Sequence, residues 1–180
     1  MESTANIIGV LSDTHDQVHH LVKAIDYFNL KRVKLVIHCG DWVAPFTLKH
    51  YTKLHAPLHG VFGNNDGDKR QHFLYAKEYN LAIHMEDQLL VLEEYKKKIA
   101  VYHGNHQEIV DALVKCGDYD VVLHGHNHQP KFEKIGNVVS LNPGTLVDYT
   151  NESTQGASLG LYDADLHEGR IVWMKDILES

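Results

Sequence analysis

The hydrophobic period of this chain switches repeatedly between strand and helix along its first half, and that alternation limits the fold more than any other feature. Asn6 to Asp13 (NIIGVLSD) is a β-branched apolar run, and in the VHHLVKAIDYFNL that follows, Val18, Leu21, Val22, Ile25 and Phe28 recur at helical spacing. Lys34 to Asp41 (KLVIHCGD) reads as a second strand, PFTLKHYTKL as a helix with Pro45 in its first turn, PLHGVFGNND as a third strand and RQHFLYAKEYN as another helix. The second half is richer in strands: LAIHM, LLVLEE and KIAVYHG precede one more helix in HQEIVDALVKC, and strand-like runs continue to the end. Hairpins are signalled at EEYKKK, at KIGNVVS and between Ala164 and Gly169. βα units followed by strand-rich sequence predict an α/β sandwich, two sheets packed face to face with helices on their outer faces. A length of 180 residues, 43% of them hydrophobic, suits one domain spanning 1–180.

Each of five apolar runs ends in polar residues that have no part in a core. The first runs into SDTH with Asp13 and His15, the second into CGDW with Asp41, and the third into GNND with Asn64 and Asp66. IAVYHG ends in His103, and DVVLHGHNHQP brings His126 and His128 just past another strand. Glycines 40, 63, 104 and 125 flank these groups and permit sharp turns and close backbone approach. The carboxyl edge of an open α/β sheet is where ligands bind, so these residues are expected to converge there.

Two aspartates, one asparagine and four histidines are too many donors for one four-coordinate ion and suit two ions sharing a bridge. Without thiolates, the set favours Mn, Fe, Zn, Ni or Co over Cu(I) or an iron–sulfur cluster. Two such ions polarise a phosphoryl group and hold a hydroxide for in-line attack, which is metal-assisted phosphoester hydrolysis. A lone D-x-H is more usually a turn or a helix cap, and an isolated H-x-H is more often incidental than ligating. Taken singly they decide nothing; the metal reading rests on the resemblance of the whole ordered series to a known family, in its strand-end context.

The series D-x-H, G-D, G-N-x-D, H-G and G-H-x-H, with NPGT at Asn142 to Thr145, resembles the calcineurin-like metallophosphoesterase superfamily, in particular its short prokaryotic phosphodiesterase branch. The resemblance implies a two-sheet β sandwich flanked by helices in four layers. It implies one metal held by Asp13, His15, Asp41 and His128 and another by Asp41, Asn64, His103 and His126, with Asp41 as the bridge and manganese first among the metals. It also implies a phosphodiesterase acting on a small phosphoester. The alternatives are a phosphomonoesterase or nucleotide hydrolase with the same site, or a non-catalytic scaffold of the retromer-subunit type. Relatives of this kind commonly form homo-oligomers. Where many relatives have G-N-H-D, this chain has Asn65, which cannot act as a general acid.

The remaining features are read as structural. A formal charge of -7 offers no general attraction to nucleic acid or to an anionic membrane, so stable nucleic-acid binding is not expected. The start MESTAN has neither a positive start nor a long apolar run, and no segment approaches a membrane span, which predicts a cytoplasmic protein. Cys39 and Cys116 read as small buried hydrophobes and Trp173 as a packed strand residue. His124 lies outside the matched positions and reads as structural, and His106 as solvent-facing or helix-capping.

Overall fold

A computed structural model describes residues 5–148, 150–151 and 154–178. Its strands are β1 (Ile7–Leu11), β2 (Leu35–His38), β3 (Leu58–Val61), β4 (Ile83–Glu86), β5 (Leu89–Glu94), β6 (Lys97–Tyr102), β7 (Val121–Leu123), β8 (Lys131–Ile135), β9 (Val138–Asn142), the two-residue β10 (Thr150–Asn151) and β11 (Thr154–Gln155), β12 (Ser158–Asp163) and β13 (Glu168–Trp173). The α-helices are α1 (Val18–Lys31), α2 (Lys69–Glu78), α3 (Gln107–Lys115) and α4 (Met174–Leu178). Six strands form one sheet in the order β13-β12-β1-β2-β3-β4, and five form the other in the order β5-β6-β7-β9-β8. Within the first, β1 to β4 run parallel; within the second, β6, β7 and β9 do. The α/β sandwich expected from the periodicity is thus the fold.

Alternation along the strands sorts side chains into three apolar layers. Ile8, Val10, Ile37 and Val61 of one sheet meet Ile99, Val101, Leu123 and Leu141 of the other, forming the core between the sheets. Leu11, Val36 and Leu58 point the opposite way, against Leu21, Ile25 and Phe28 of α1 and Leu48 and Tyr51 of the next helical segment. On the far side, Val110 and Val114 of α3 cover Val122 and Val138. Helices, sheet, sheet and helix make the expected four layers.

Some local expectations change. Pro45–Lys53 is a 3-10 helix instead of an α-helix, with Ala44 and Leu54 as its caps between β2 and β3. The strand-like ending closes with the short helix α4, whose Met174 is buried against the first sheet. Cys39 is buried as expected, whereas Cys116 is exposed, because it caps α3 at the carboxyl end and turns outward. At the EEYKKK hairpin both turn residues, Tyr95 and Lys96, have positive φ (51° and 61°), the geometry that matches the twist of β5 and β6. Among the described residues no helix is long and apolar enough to cross a membrane.

Candidate metal centre

The carboxyl ends of β1, β2 and β3 in one sheet and of β6 and β7 in the other meet along one edge of the sandwich. Asp13 lies deepest, with no exposed surface. Its Oδ2 accepts hydrogen bonds from Ser12 Oγ (2.5 Å) and from the His126 backbone N–H (2.9 Å). Its Oδ1 is buried, makes no hydrogen bond and lies 3.1 Å from His128 Nε2 and 3.7 Å from His15 Nε2. His15 Nε2 and His128 Nε2 are themselves 3.2 Å apart. Two imidazole nitrogens and a buried carboxylate oxygen aim at one point, an arrangement suited to a cation.

Asp41 spans this cluster and a second one. Its Oδ2 is 3.5 Å from His15 Nε2, and its Oδ1 is 3.4 Å from His103 Nε2. His103 Nδ1 donates to the Cys39 carbonyl (2.8 Å), which fixes the ring with Nε2 facing Asn64 Oδ1 at 3.1 Å. The His126 ring stands edge-on to that of His103, centroids 5.1 Å apart. All seven residues singled out in the sequence are therefore brought together. Two tight donor groups stand out, Asp13, His15 and His128, and Asp13, Asp41 and His103. They share Asp13, while Asp41 touches a histidine of each.

The charges answer to this crowding. Burial opposes ionisation of Asp13, but His128, His15 and His103 outweigh it and hold the carboxyl well below the ordinary carboxylate range. Asp41 is lowered likewise, burial being overcome by His103 and by Asn65. Asp13 raises His15 against the effect of burial, and Asp41 and Asp13 raise His103 although burial pulls it down. Without a cation, the two carboxylates favour the protonated forms of His15 and His103. The donor set, the orphaned Asp13 oxygen and this excess of negative potential fit divalent ions.

Holding the donors together strains the backbone. Asp13, His15, Asp41, His126 and His128 all have positive φ (51°, 40°, 59°, 72° and 59°), a region that costs non-glycine residues of order 1 kcal/mol or more each. The surrounding network compensates. Asp66 accepts from the backbone N–H groups of Asp41 (3.0 Å), Val43 (2.7 Å) and Gly63 (2.7 Å). The Asp13 carbonyl accepts from Thr145 Oγ1 at 2.7 Å and from the Leu146 N–H at 3.3 Å. Asn142 donates to the Gly125 carbonyl (3.1 Å) and to Asn127 Oδ1 (2.9 Å), tying down the loop that carries His126 and His128. A Cβ on Gly125 would lie 1.8 Å from Ser12 Oγ and 2.6 Å from Asp13 Oδ2, so only glycine fits there.

Gly125 makes the close approach expected of it, whereas the contacts of Asn142 and Thr145 went unassigned in the sequence. NPGT was visible as a motif, but its work, with Thr145 and Asn142 fixing two ligand loops, depends on contacts across the fold. His38 gave no signal at all: it is fully buried, stacked on Trp42 with centroids 3.7 Å apart, and bridges Gly40 N–H (3.1 Å) to Thr14 Oγ1 (3.2 Å). His124 is structural as expected, bonded through Nε2 to Ser140 Oγ at 3.2 Å. His106 is exposed at the N-cap of α3 and makes no side-chain cap bond.

The calcineurin-like phosphoesterase superfamily domain matches residues 7–165. The chain belongs to the calcineurin-like phosphoesterase superfamily. A phosphodiesterase of Methanocaldococcus jannaschii is 36% identical over 163 residues, covering 91% of this chain and 96% of that protein. A probable metallophosphoesterase of Methanothermobacter thermautotrophicus is 30% identical over 145 residues, 77% of this chain and 76% of its own. Among solved structures, a novel archaeal phosphodiesterase superposes with a TM-score of 0.83 at 35% identity, covering 92% of this chain and 98% of that one. The zinc-complexed Vps29 of Entamoeba histolytica, at 18% identity and a TM-score of 0.62 over 92% of this chain and 97% of its own, shares the fold. Calcineurin-like phosphoesterases hydrolyse phosphoester bonds with divalent metal ions, and this member is such a hydrolase.

Proposed function

We propose that this chain, working as one domain over 1–180, is a two-metal phosphodiesterase acting on a small phosphodiester. Asp41 carries the reading: its carboxylate lies between His15 and His103 at 3.5 and 3.4 Å, which suits a ligand shared by two ions. Asp13, His15 and His128 would complete one position with it, and Asn64, His103 and His126 the other. Two divalent ions, manganese first and Ni, Fe, Zn or Co also suited to the donors, polarise the phosphoryl oxygens and activate water when bound.

The chain's own residues do the rest. His103 is locked by the Cys39 carbonyl so that it presents a lone pair inward, and Asn65 fixes the Asp41 carboxylate from the outer side. No imidazole follows Asn64, so the leaving oxygen departs without a proton donor at Asn65. The relative of Methanocaldococcus jannaschii, matched along nearly its whole length, is a phosphodiesterase, which supports the diester over the monoester. The full donor set speaks against a scaffold role.

Metal-loaded protein should hydrolyse bis(4-nitrophenyl) phosphate faster than 4-nitrophenyl phosphate and lose both activities on chelation. A preference for the monoester would overturn the diester reading, and activity that survives exhaustive chelation would overturn the metal reading.

A further inference from the structure

Beside the candidate metal centre, the seam between the two sheets opens into a cleft of about 500 Å³. One wall is the segment after β3, with Phe62, Gly63, Asn64 and Lys69; the other follows β6, with Asn105, His106 and Ile109 of α3. The two-residue turn Asp87–Gln88, which carries the chain from one sheet to the other between β4 and β5, closes the end. Asn64 belongs both to this cleft and to the donor cluster, where its Oδ1 lies 3.1 Å from His103 Nε2. The cleft therefore starts where a phosphoryl group would be held.

Its chemistry selects among occupants. Among the described residues Lys69 is the only lysine or arginine lining it, and it is ion-paired with Asp87 while resting 5.6 Å from the centroid of the Phe62 ring. Asp87 is neutralised by that pair, and Asp66 is buried with both oxygens on backbone N–H groups, so the lining offers a second anionic group no free lysine or arginine to meet it. What it presents is neutral hydrogen-bonding capacity, from the Gln88 and Asn105 amides, with the half-exposed Ile109 (42%) as an apolar surface. The volume lies within the roughly 300–1,000 Å³ of small-molecule sites. Resting on the diesterase reading, we propose that this cleft seats the retained organic substituent of the diester, and that the substituent is uncharged, hydrogen-bonding and of nucleoside size.

Two substrates with one leaving group test it: thymidine 5′-(4-nitrophenyl phosphate) and methyl 4-nitrophenyl phosphate, assayed at the same metal loading. One or two hydrogen bonds to the nucleoside should give a kcat/KM ratio of about tenfold in favour of the thymidine ester. Ile109→Trp fills the cleft from an exposed helix position, and Gln88→Ala removes an amide from an exposed turn. Both should bring the ratio close to one while the methyl ester stays within about twofold of its original kcat/KM. If Ile109→Trp proves misfolded by its thermal melt, Gln88→Ala alone decides. Hydrolysis of both esters with no preference, or a preference that survives the variants, would overturn the cleft assignment and leave the diesterase reading standing. Hydrolysis of neither ester would overturn both.

Discussion

Asn65 holds both oxygens of Asp41: its backbone N–H donates to Oδ1 at 2.9 Å and its side-chain Nδ2 to Oδ2 at 2.7 Å. In the sequence Asn65 marks only a missing histidine, yet in the fold it sets the plane of the carboxylate that reaches both donor groups. Removing a hydrogen-bond partner of a metal ligand typically costs 10–100-fold in affinity or activity. Asn65→Ala should therefore weaken metal binding by about 10-fold or more, read by titrating the apo-protein with Mn(II), with an unchanged thermal melt. Equal affinities in the two proteins would remove Asn65 from the account.

The same residue governs the leaving group. With no proton to give at Asn65, rates should fall steeply as the leaving alcohol becomes less acidic, so nitrophenyl esters should outrun alkyl esters. A positioned general acid contributes about 10²–10⁴-fold. Asn65→His should restore part of that factor for poor leaving groups and little for nitrophenolate, measured as a leaving-group series at fixed metal loading. A flat series in the wild type would show that another group already supplies the proton.

Asp66 is buried beneath this loop and satisfies three backbone N–H groups, two of them on the strained residues Asp41 and Val43. Burial pushes its carboxyl above the usual range despite those donors. Asp66→Ala leaves all three N–H groups unpaired and should destabilise the protein by about 3 kcal/mol, seen as a lower urea midpoint at constant slope. Activity should fall with it, since Asp41 loses its backbone support.

The sequence exposed the fold and the donors for a physical reason. Hydrophobic period reports which face a strand or helix buries, and a site built at strand ends places its ligands directly after apolar runs, as with Asp13, Asp41 and His103. What stayed hidden is carried by contacts between distant segments. Thr145 reaches the Asp13 carbonyl across 132 residues, and His38 looked like an ordinary member of an apolar strand. The 3-10 form of Pro45–Lys53 was equally hidden, because its apolar residues satisfy the period of either helix. Cys116 misled because a cysteine at the end of an amphipathic helix lies on whichever side the chain leaves.

His38 gives the fold a pH dependence of its own. Complete burial lowers its pKa to about 3, far below the ordinary 6.5. Above pH 6.5 neither folded nor unfolded chain binds the proton and the contribution to stability is whole. As pH falls from 6.5 towards 3 the unfolded chain takes up a proton that the folded one refuses, and stability drops by up to about 1.4 kcal/mol per pH unit. His124, lowered to about 4 by burial, acts in the same direction. In chelator, His38→Gln should show a shallower loss than wild type between pH 6.5 and 4.5 by urea denaturation; identical slopes would contradict the assignment.

The central claim is the pair of metal positions sharing Asp41, and metal content measured on reconstituted protein tests it most directly. Elemental analysis after saturation with Mn(II) and removal of free ion should give about two ions per chain. The same analysis should give about one for His128→Ala and fewer than one for Asp41→Asn, because a neutral amide is a poorer bridge than a carboxylate. Saturation of the wild-type chain at a single ion, or an Asp41→Asn protein that keeps both, would contradict the account.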